Sequence, residues 1–281
     1  MSYKTIAVQV NQSRHSAARI TLAAELANRH QAHLVGVATT AMPQVFYMPG
    51  LEGYGAEELS TLMNFVKEGA KTSLSVFDEY ARAAGVREFE ARLIEDETGH
   101  GLCLQARYSD LLIVGQCDPQ ENLATASPSA LQYVITHSPA PVLFVPYAGN
   151  NTGLAQRVVI AWNASIESAR AVVAALPLLT RAQSVEAIVF NGERDPLAHG
   201  PLPGSDIALF LARHGVKVEV AQRSTKEDDA VGAALLSHLD DYDADLLVMG
   251  GFGHSRLREM ILGGVTRSVL EAMTVPVLMA H

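Results

Sequence analysis

Residues 245–269, DLLVMGGFGHSRLREMILGGVTRSV, contain the pattern that decides the fold. The stretch begins with an apolar run, residues 246–249, which is short and followed by glycine, as is typical of a buried parallel strand. Glycines then recur through the loop, and residues 266–273 are predicted to form a helix. A strand, a glycine-rich loop and a helix N-terminus commonly bind anions together. Glycine permits close approach of the backbone, and the helix N-terminus offers unpaired N–H groups.

The glycine spacing resembles the nucleotide loop of the universal stress protein family, in its ATP-binding branch. Gly250, Gly253 and Gly263 are separated by two and by nine residues. The family usually has Ser or Thr directly after the third glycine, whereas this chain has Gly264. Thr266, two positions later, matches a phosphate-contacting position of the family. The resemblance therefore implies an altered phosphate cradle; the alternative interpretation is that the glycines only form a tight turn.

Length and composition restrict the class of protein. The chain has 281 residues, of which 48% are hydrophobic, so two domains of ordinary size are expected. A formal charge of −9 argues against binding to nucleic acid, which requires a basic surface. The two cysteines, Cys103 and Cys117, show no metal-site spacing. Because no signal peptide or apolar stretch of membrane-spanning length is recognisable, we expect a cytoplasmic protein without a membrane partner.

The chain repeats itself. Residues 158–165 match residues 6–13, so that Asn163 aligns with Asn11 at a separation of 152 positions. Residues 245–250 match residues 110–115 at a separation of 135 positions. The second copy is thus 17 residues shorter, most simply in its second helix and the preceding loop. We expect two domains, residues 1–147 and 154–281, joined by the small polar residues 148–153.

The order of predicted elements indicates an α/β fold. Strands alternate with helices in both halves, which predicts parallel sheets covered on both faces. The family resemblance implies two tandem, doubly wound, open five-stranded sheets of the adenine nucleotide alpha hydrolase-like type, with strand order 3-2-1-4-5. It also implies an intramolecular pseudo-dimer, in which the halves pair through the predicted last strands, residues 141–145 and 275–279. A further homodimer is left open.

The duplication provides an internal control for the nucleotide loop. Residues 115–141 and 250–276 are equally long, so the two loops align position by position. Asp118 stands opposite Gly253, Pro128 opposite Gly263 and Leu131 opposite Thr266. A carboxylate repels phosphate, and proline lacks an N–H donor. We therefore expect a degenerate loop in the first half and one nucleotide site, in the second half.

Most of the predicted nucleotide contacts follow from matches to family positions. The end of the first strand of the second half usually carries an aspartate that meets the adenine; this chain has Asn163 there, which alternatively only terminates the strand. Arg256, Arg258 and Arg267 are candidates for neutralising phosphate, or belong to a solvated surface. The predicted nucleotide-binding residues are Ala161, Trp162, Asn163, Val189, Met249, Gly250, Gly253, His254, Gly263, Gly264, Val265 and Thr266.

The resemblance implies a module that binds ATP, an adenine nucleotide, with Mg²⁺ as a possible companion, and that acts in a stress response. The alternatives are a slow ATP hydrolase or phosphotransferase, and a nucleotide-free protein that binds a partner or another small molecule. No catalytic residue is assigned, since Glu259 and His254 form no recognisable pair. The GxGxxG, Walker A and GxSxG motifs are absent from their expected places, which argues against dinucleotide dehydrogenases, P-loop NTPases and serine hydrolases.

Overall fold

The structure is a computed structural model that describes residues 2–41, 55–121, 123–149, 153–227, 230–251 and 264–281. The chain divides into two compact units, residues 2–142 and residues 143–281. Within the described residues, no helix combines the length and the apolar character that crossing a membrane requires.

The first half alternates strands and helices. Its elements are β1 (Thr5–Gln9), α1 (Ser16–His30), β2 (His33–Thr39), α2 (Ala56–Ala83), β3 (Phe89–Ile94), α3 (Thr98–Ala106), β4 (Leu111–Gly115), α4 (Pro128–His137) and β5 (Val142–Val145). The strand order is β3-β2-β1-β4-β5. The strand pairs β1–β2, β1–β4 and β2–β3 are all parallel.

The second half repeats this arrangement. Its elements are β6 (Arg157–Ala161), α5 (Ile166–Leu179), β7 (Ser184–Phe190), α6 (Pro196–His199), α7 (Ser205–Arg213), β8 (Val218–Arg223), α8 (Val231–Asp241), β9 (Leu246–Gly250), α9 (Gly264–Ala272) and β10 (Val277–Ala280). The order β8-β7-β6-β9-β10 is again the 3-2-1-4-5 pattern. The predicted α/β class and strand order are therefore confirmed.

An aspartate before the fourth strand ties together the first and fourth strands of each half. Asp110 Oδ2 accepts hydrogen bonds from the backbone N–H groups of Lys4 and Thr5, at 2.6 and 3.0 Å. Asp245 does the same with the residues that begin β6: its Oδ2 lies 2.8 Å from the nitrogen of Gln156 and 3.1 Å from that of Arg157. These bonds help to set the register of the buried strands at the amino ends of β1 and β6.

The second half is shorter where the repeat predicts it. Helix α2 has 28 residues, whereas its counterpart α7 has 9 residues. The apolar residues of the segment 216–220 predict a strand that begins at residue 216. In the structure the strand that follows α7 begins at Val218. Val216 instead closes the helix, since its N–H donates to Leu211 O at 3.0 Å after Gly215 has turned the chain with a φ of 79°.

Candidate functional site

A pocket of about 450 Å³ lies in the second unit, within the usual size range of small-ligand sites. It opens at the carboxyl ends of β6, β7 and β9, beside the first turn of α9. This is the edge where ligands bind in open parallel α/β sheets. Its described lining residues are Ala161, Trp162, Asn163, Ile188, Phe190, Asn191, Arg194, Asp195, His199, Val231, Leu235, Met249, Gly250, Gly264, Val265 and Thr266.

The structure brings most of the predicted nucleotide contacts together in this pocket. Residues 161–163 follow β6, Met249 and Gly250 end β9, and residues 264–266 form the first turn of α9. Val189 is not among the lining residues, although its neighbours in β7 are, because its buried side chain packs against Gly192 and Gly204 on the other face of the strand. The predicted contacts Gly253, His254 and Gly263 lie outside the described residues, as do Arg256, Arg258 and Glu259.

Gly250 is required by packing within the unit. A Cβ atom at this position would lie 2.6 Å from the backbone nitrogen of Ser168 and 2.9 Å from the carbonyl carbon of Glu167. Both atoms belong to the first turn of α5. The glycine therefore lets the start of α5 pack directly on the end of β9.

Asn163 closes the turn between β6 and α5. Its Oδ1 accepts a hydrogen bond from Ser165 N at 3.2 Å, and Ser165 Oγ in turn caps α5 by accepting from Ser168 N at 3.1 Å. The side chain thus performs the turn-forming role that was the alternative to base recognition. The amide nitrogen of Asn163 and the second lone pair of its oxygen remain for a ligand.

The segment after β7 supplies pocket residues that sequence reasoning missed. Asn191, Arg194, Asp195 and His199 all line the pocket, but the Gly- and Pro-rich composition of residues 191–204 predicts only a loop without periodicity. In the structure this segment contains the short helix α6, which Asp195 caps by accepting from Ala198 N at 3.1 Å. His199 Nδ1 is buried and has no hydrogen-bond partner within the described part of the chain.

The positive charge at this site comes from a residue that the sequence did not single out. Arg194 lines the pocket and donates a hydrogen bond to the backbone oxygen of Thr225. Arg267, a sequence candidate, lies on the exposed face of α9. Its Nε is 2.7 Å from Glu271 Oε1, and this contact raises the pKa of the Arg267 guanidinium. We therefore assign Arg267 to the solvated surface.

Comparison with known proteins agrees with the duplicated fold. The profile of the family described as "Universal stress protein family" matches residues 2–146 and again residues 155–281. The chain belongs to the universal stress protein family. It is 26% identical over 215 residues to the universal stress protein Slr1230 of Synechocystis, covering 74% of this chain and 71% of that protein.

Solved structures of universal stress proteins share the fold over nearly the whole length. One from Archaeoglobus fulgidus superposes with a TM-score of 0.74 at 16% identity and covers 98% of this chain and 97% of its own. A putative universal stress protein from Pseudomonas aeruginosa reaches 0.57 at 15% identity, covering 98% and 92%. The tandem arrangement of two universal stress protein units is therefore shown for this chain.

Large side chains fill the corresponding place in the first universal stress protein unit. Gln9 aligns with Ala161, and Arg19 aligns with the buried Ala171. The Gln9 side chain donates to Thr125 O at 2.6 Å and accepts from Gly115 N at 3.0 Å, so it bridges the ends of the strands. The guanidinium of Arg19 fills the space beside Gly115, where a Cβ would lie 2.2 Å from Nη1.

Asp118, which aligns with Gly253, is held in an ion-pair cluster. Its Oδ2 lies 2.5 Å from Arg14 Nη2 and 2.9 Å from His15 Nε2, and its Oδ1 accepts from Gln120 N at 2.8 Å. The Gln120 bond, followed by the contacts of His15 and Arg14, lowers the pKa of the Asp118 carboxyl to about 2. The carboxylate thus stays ionised at neutral pH, at the position that aligns with Gly253 in the sequence.

The same cluster has the composition of a metal site but not its charge balance. Potential ligand atoms of His15, Asp118 and Glu121 lie within 4.8 Å of one another. Arg14 already supplies the cation: its Nη2 pairs with Asp118, its Nε lies 3.8 Å from a Glu121 oxygen, and its backbone N–H donates to Glu121 at 2.9 Å. We therefore describe this group as an ion-pair network.

Replacing Asp118 with asparagine should change how the first unit responds to acid. The folded-state pKa of Asp118 is depressed, so the carboxylate stabilises the fold above its ordinary pKa of 3.8 and loses this effect as the pH falls towards about 2. Asp118→Asn should therefore unfold in less urea than the wild type at pH 6, and the two midpoints should converge at pH 2. Urea unfolding followed by circular dichroism at several pH values measures this. Glu79→Gln, at an exposed position of α2, is the control; a constant gap between Asp118→Asn and wild type would contradict the assignment.

Proposed function

We propose that the second unit binds ATP together with Mg²⁺ and acts as a nucleotide-dependent regulatory module of a cytoplasmic stress response. The observation that carries this proposal is the contrast between the halves. At the same edge of the sheet the second unit has a pocket of about 450 Å³ where Ala161 stands, whereas in the first unit Gln9 occupies part of the space and leaves a cavity of about 140 Å³. The pairing of the two halves through their last strands, and a homodimer, stay predictions.

The first turn of α9 is the proposed phosphate end of the pocket. Gly264 and Val265 stand at the start of the helix, where backbone N–H groups lack intrahelical acceptors and the helix dipole favours negative charge. Thr266 is 4% exposed and adds a hydroxyl group in the same turn. Arg194 contributes the positive charge that the net charge of −9 makes necessary for binding an anion.

The apolar lining residues of the pocket suit a flat, largely apolar base. Trp162 and Phe190 offer aromatic surface, and Val231 and Leu235 of α8 offer aliphatic surface. Burying an aromatic ring against such groups is favourable because it removes apolar area from water. The amide nitrogen of Asn163 is a hydrogen-bond donor that a ring nitrogen of adenine accepts.

Asp195 fits the role of a Mg²⁺ ligand. Among the described lining residues it is the carboxylate, and its Oδ2 is not used in capping α6. Protein sites for Mg²⁺ typically supply one or two carboxylates and leave the other positions to phosphate oxygens and water. The metal would neutralise phosphate charge, and Asp195 would supply its carboxylate ligand.

Hydrolysis of ATP is the second candidate function. His199 lies one turn after Asp195, lines the pocket and has a buried ring nitrogen without a described partner. A histidine and a carboxylate near the phosphates are the groups that would position a water molecule for attack. Binding ranks first because no contact pairs these two side chains in the described structure.

Fluorescence of Trp162 tests nucleotide binding directly, because it is the only tryptophan of the chain and it lines the pocket. Titration of nucleotide-free protein with Mg-ATP should change its emission in a saturable way. Gly263→Asp, which places a carboxylate in the predicted nucleotide loop, should abolish the change, whereas the same substitution at Gly55, where φ is −75° and the nearest atom to an added Cβ is 3.8 Å away, should not. An unchanged emission at saturating Mg-ATP, with no heat in calorimetry, would leave the nucleotide-free interpretation.

Phosphate release from the same samples separates the two functions. A binding module should release no phosphate above the Gly263→Asp background over many hours. Release that is saturable in ATP and lost in His199→Gln would instead establish the hydrolase.

A further inference from the structure

The first unit contains a second, smaller cavity of about 140 Å³. It lies at the carboxyl ends of β1 and β2, beneath α2. Val10, Ala41, Val66 and Ala70 contribute apolar surface to its lining. Its polar lining residues are Asn11, Gln12, Thr39, Thr40, Ser73 and Thr125. Its volume is close to that of engineered cavities that bind benzene, so it is too small for a nucleotide.

Asn11 and Thr40 each carry a buried polar group without a hydrogen-bond partner. Asn11 is 7% exposed and Thr40 is 1% exposed. The Asn11 Nδ2 and the Thr40 Oγ1 make no hydrogen bond to any described residue. Buried polar groups are nearly always hydrogen-bonded, because leaving one unpaired destabilises the fold. Two such groups in the lining of one cavity indicate that something else pairs with them.

The orientation of the Asn11 amide is fixed by its neighbours. Its Oδ1 accepts a hydrogen bond from Arg19 Nη2 at 2.8 Å and a longer one from Ser13 N at 3.3 Å. Arginine is only a donor, so the atom that it contacts must be the oxygen. The unpaired atom is therefore the amide nitrogen, and a ligand must offer it an acceptor. Contact with a cation polarises the amide and strengthens its N–H groups as donors.

Arg19 also sets the preferred charge of that ligand. Its side chain is buried, and its Nε and Nη2 donate to neutral oxygens, the backbone oxygen of Gln9 and the Oδ1 of Asn11. Burial lowers the pKa of the Arg19 guanidinium to about 10, so it remains charged at neutral pH. A negative charge on the other side of the Asn11 amide would be attracted to this cation in a medium of low polarity.

We propose that the cavity binds a small monocarboxylate of roughly six to nine non-hydrogen atoms. One carboxylate oxygen accepts from Asn11 Nδ2 and the other from the Thr40 hydroxyl. The hydrocarbon part packs against Val10, Val66 and Ala70. The first unit is then a sensor for an organic acid, separate from the ATP pocket of the second unit.

Calorimetric titration with benzoate, beside toluene as a probe of the same shape without acceptor oxygens, tests the proposal. Benzoate should bind one to one, and toluene at least tenfold more weakly. Thr40→Val, which keeps the shape of the side chain and removes the hydroxyl, should weaken benzoate about five- to tenfold. The same variant should unfold at an equal or higher temperature without ligand, because it removes an unpaired hydroxyl. Ala70→Leu should abolish binding by filling the cavity.

Thr72→Val is the matched control, because Thr72 lies on the exposed face of α2 with its hydroxyl bonded to Glu68 O. It should bind benzoate like the wild type. Three results would each overturn the proposal: no benzoate heat up to about 10 mM with folded protein, equal affinity for toluene, or unchanged affinity in Thr40→Val. Mg-ATP binding, measured in the same samples, should be unaffected by all these variants, so that failure here is distinguishable from failure of the ATP proposal.

Discussion

Replacing Ala161 with glutamine is expected to weaken ATP binding roughly 100-fold, since a steric block of 2–3 kcal/mol corresponds to that factor. Ala161 ends β6 and lines the pocket, and its counterpart Gln9 shows what a glutamine does at this position. The Gln9 side chain reaches Gly115 N and Thr125 O and occupies the space between the strand ends. A glutamine at position 161 should likewise extend across the end of β9.

The measurement is calorimetric titration of Ala161→Gln with Mg-ATP. Val173→Gln is the matched control, because Val173 lies on α5 in the same unit and is 50% exposed, away from the pocket lining. It should bind ATP like the wild type. Full affinity in Ala161→Gln would show that the nucleotide does not occupy this pocket.

Gly250→Ala is expected to lower the free energy of unfolding of the second unit by about 3 kcal/mol. The added Cβ would lie 2.6 Å from Ser168 N and 2.9 Å from a backbone atom of Glu167, and neither atom belongs to a flexible side-chain end. Either α5 or β9 must shift. Because the shift also moves the end of β9, which lines the pocket, the variant should lose ATP affinity as well.

Urea unfolding followed by Trp162 fluorescence reports on this unit. Gly55→Ala provides the same substitution without the clash, since the nearest atom to its added Cβ is 3.8 Å away and its φ is −75°. The control should leave the Trp162 transition unchanged. A Gly250→Ala midpoint equal to that of the wild type would contradict the close packing of α5 on β9.

The fold could be predicted from local pattern and repetition. Short apolar runs such as residues 246–249 identify the strands, and the match of residues 158–165 to residues 6–13 identifies the two copies. The first and last residues of the strands and helices could be predicted less well. The strand predicted from residue 216 begins at Val218, because the Val216 N–H donates a hydrogen bond to Leu211 O at the end of α7. Hydrophobic periodicity does not predict this hydrogen bond.

The site was only partly predictable for a similar reason. The residues next to the glycine loop could be predicted from the spacing of the glycines, and those at the end of β6 from the match between the two halves. Asp195 and His199 do not, because they reach the pocket through a short helix inside a Gly- and Pro-rich segment. Gly250 illustrates a different limit. The spacing alone suggests that a glycine is needed there for a ligand, whereas the structure shows that a side chain would collide with the backbone of α5.

Asp118 and Pro128 predict that the first half lacks a phosphate cradle. The side chains that occupy the space instead could not be predicted. Nothing in the sequence indicates that Gln9 and Arg19 occupy the space, since a glutamine in a strand and an arginine in a helix are ordinarily exposed. Their burial is seen only once the strands are paired. The small cavity lined by Asn11 and Thr40 likewise depends on how α2 covers the sheet.

The most direct test of the central claim is the stoichiometry of Mg-ATP binding to the full chain, measured by calorimetry on protein shown to be free of carried-over nucleotide. The structure predicts one site per chain, abolished by Ala161→Gln and retained in Gln9→Ala. Two sites per chain, or a single site that survives Ala161→Gln, would contradict the assignment of nucleotide binding to the second unit alone.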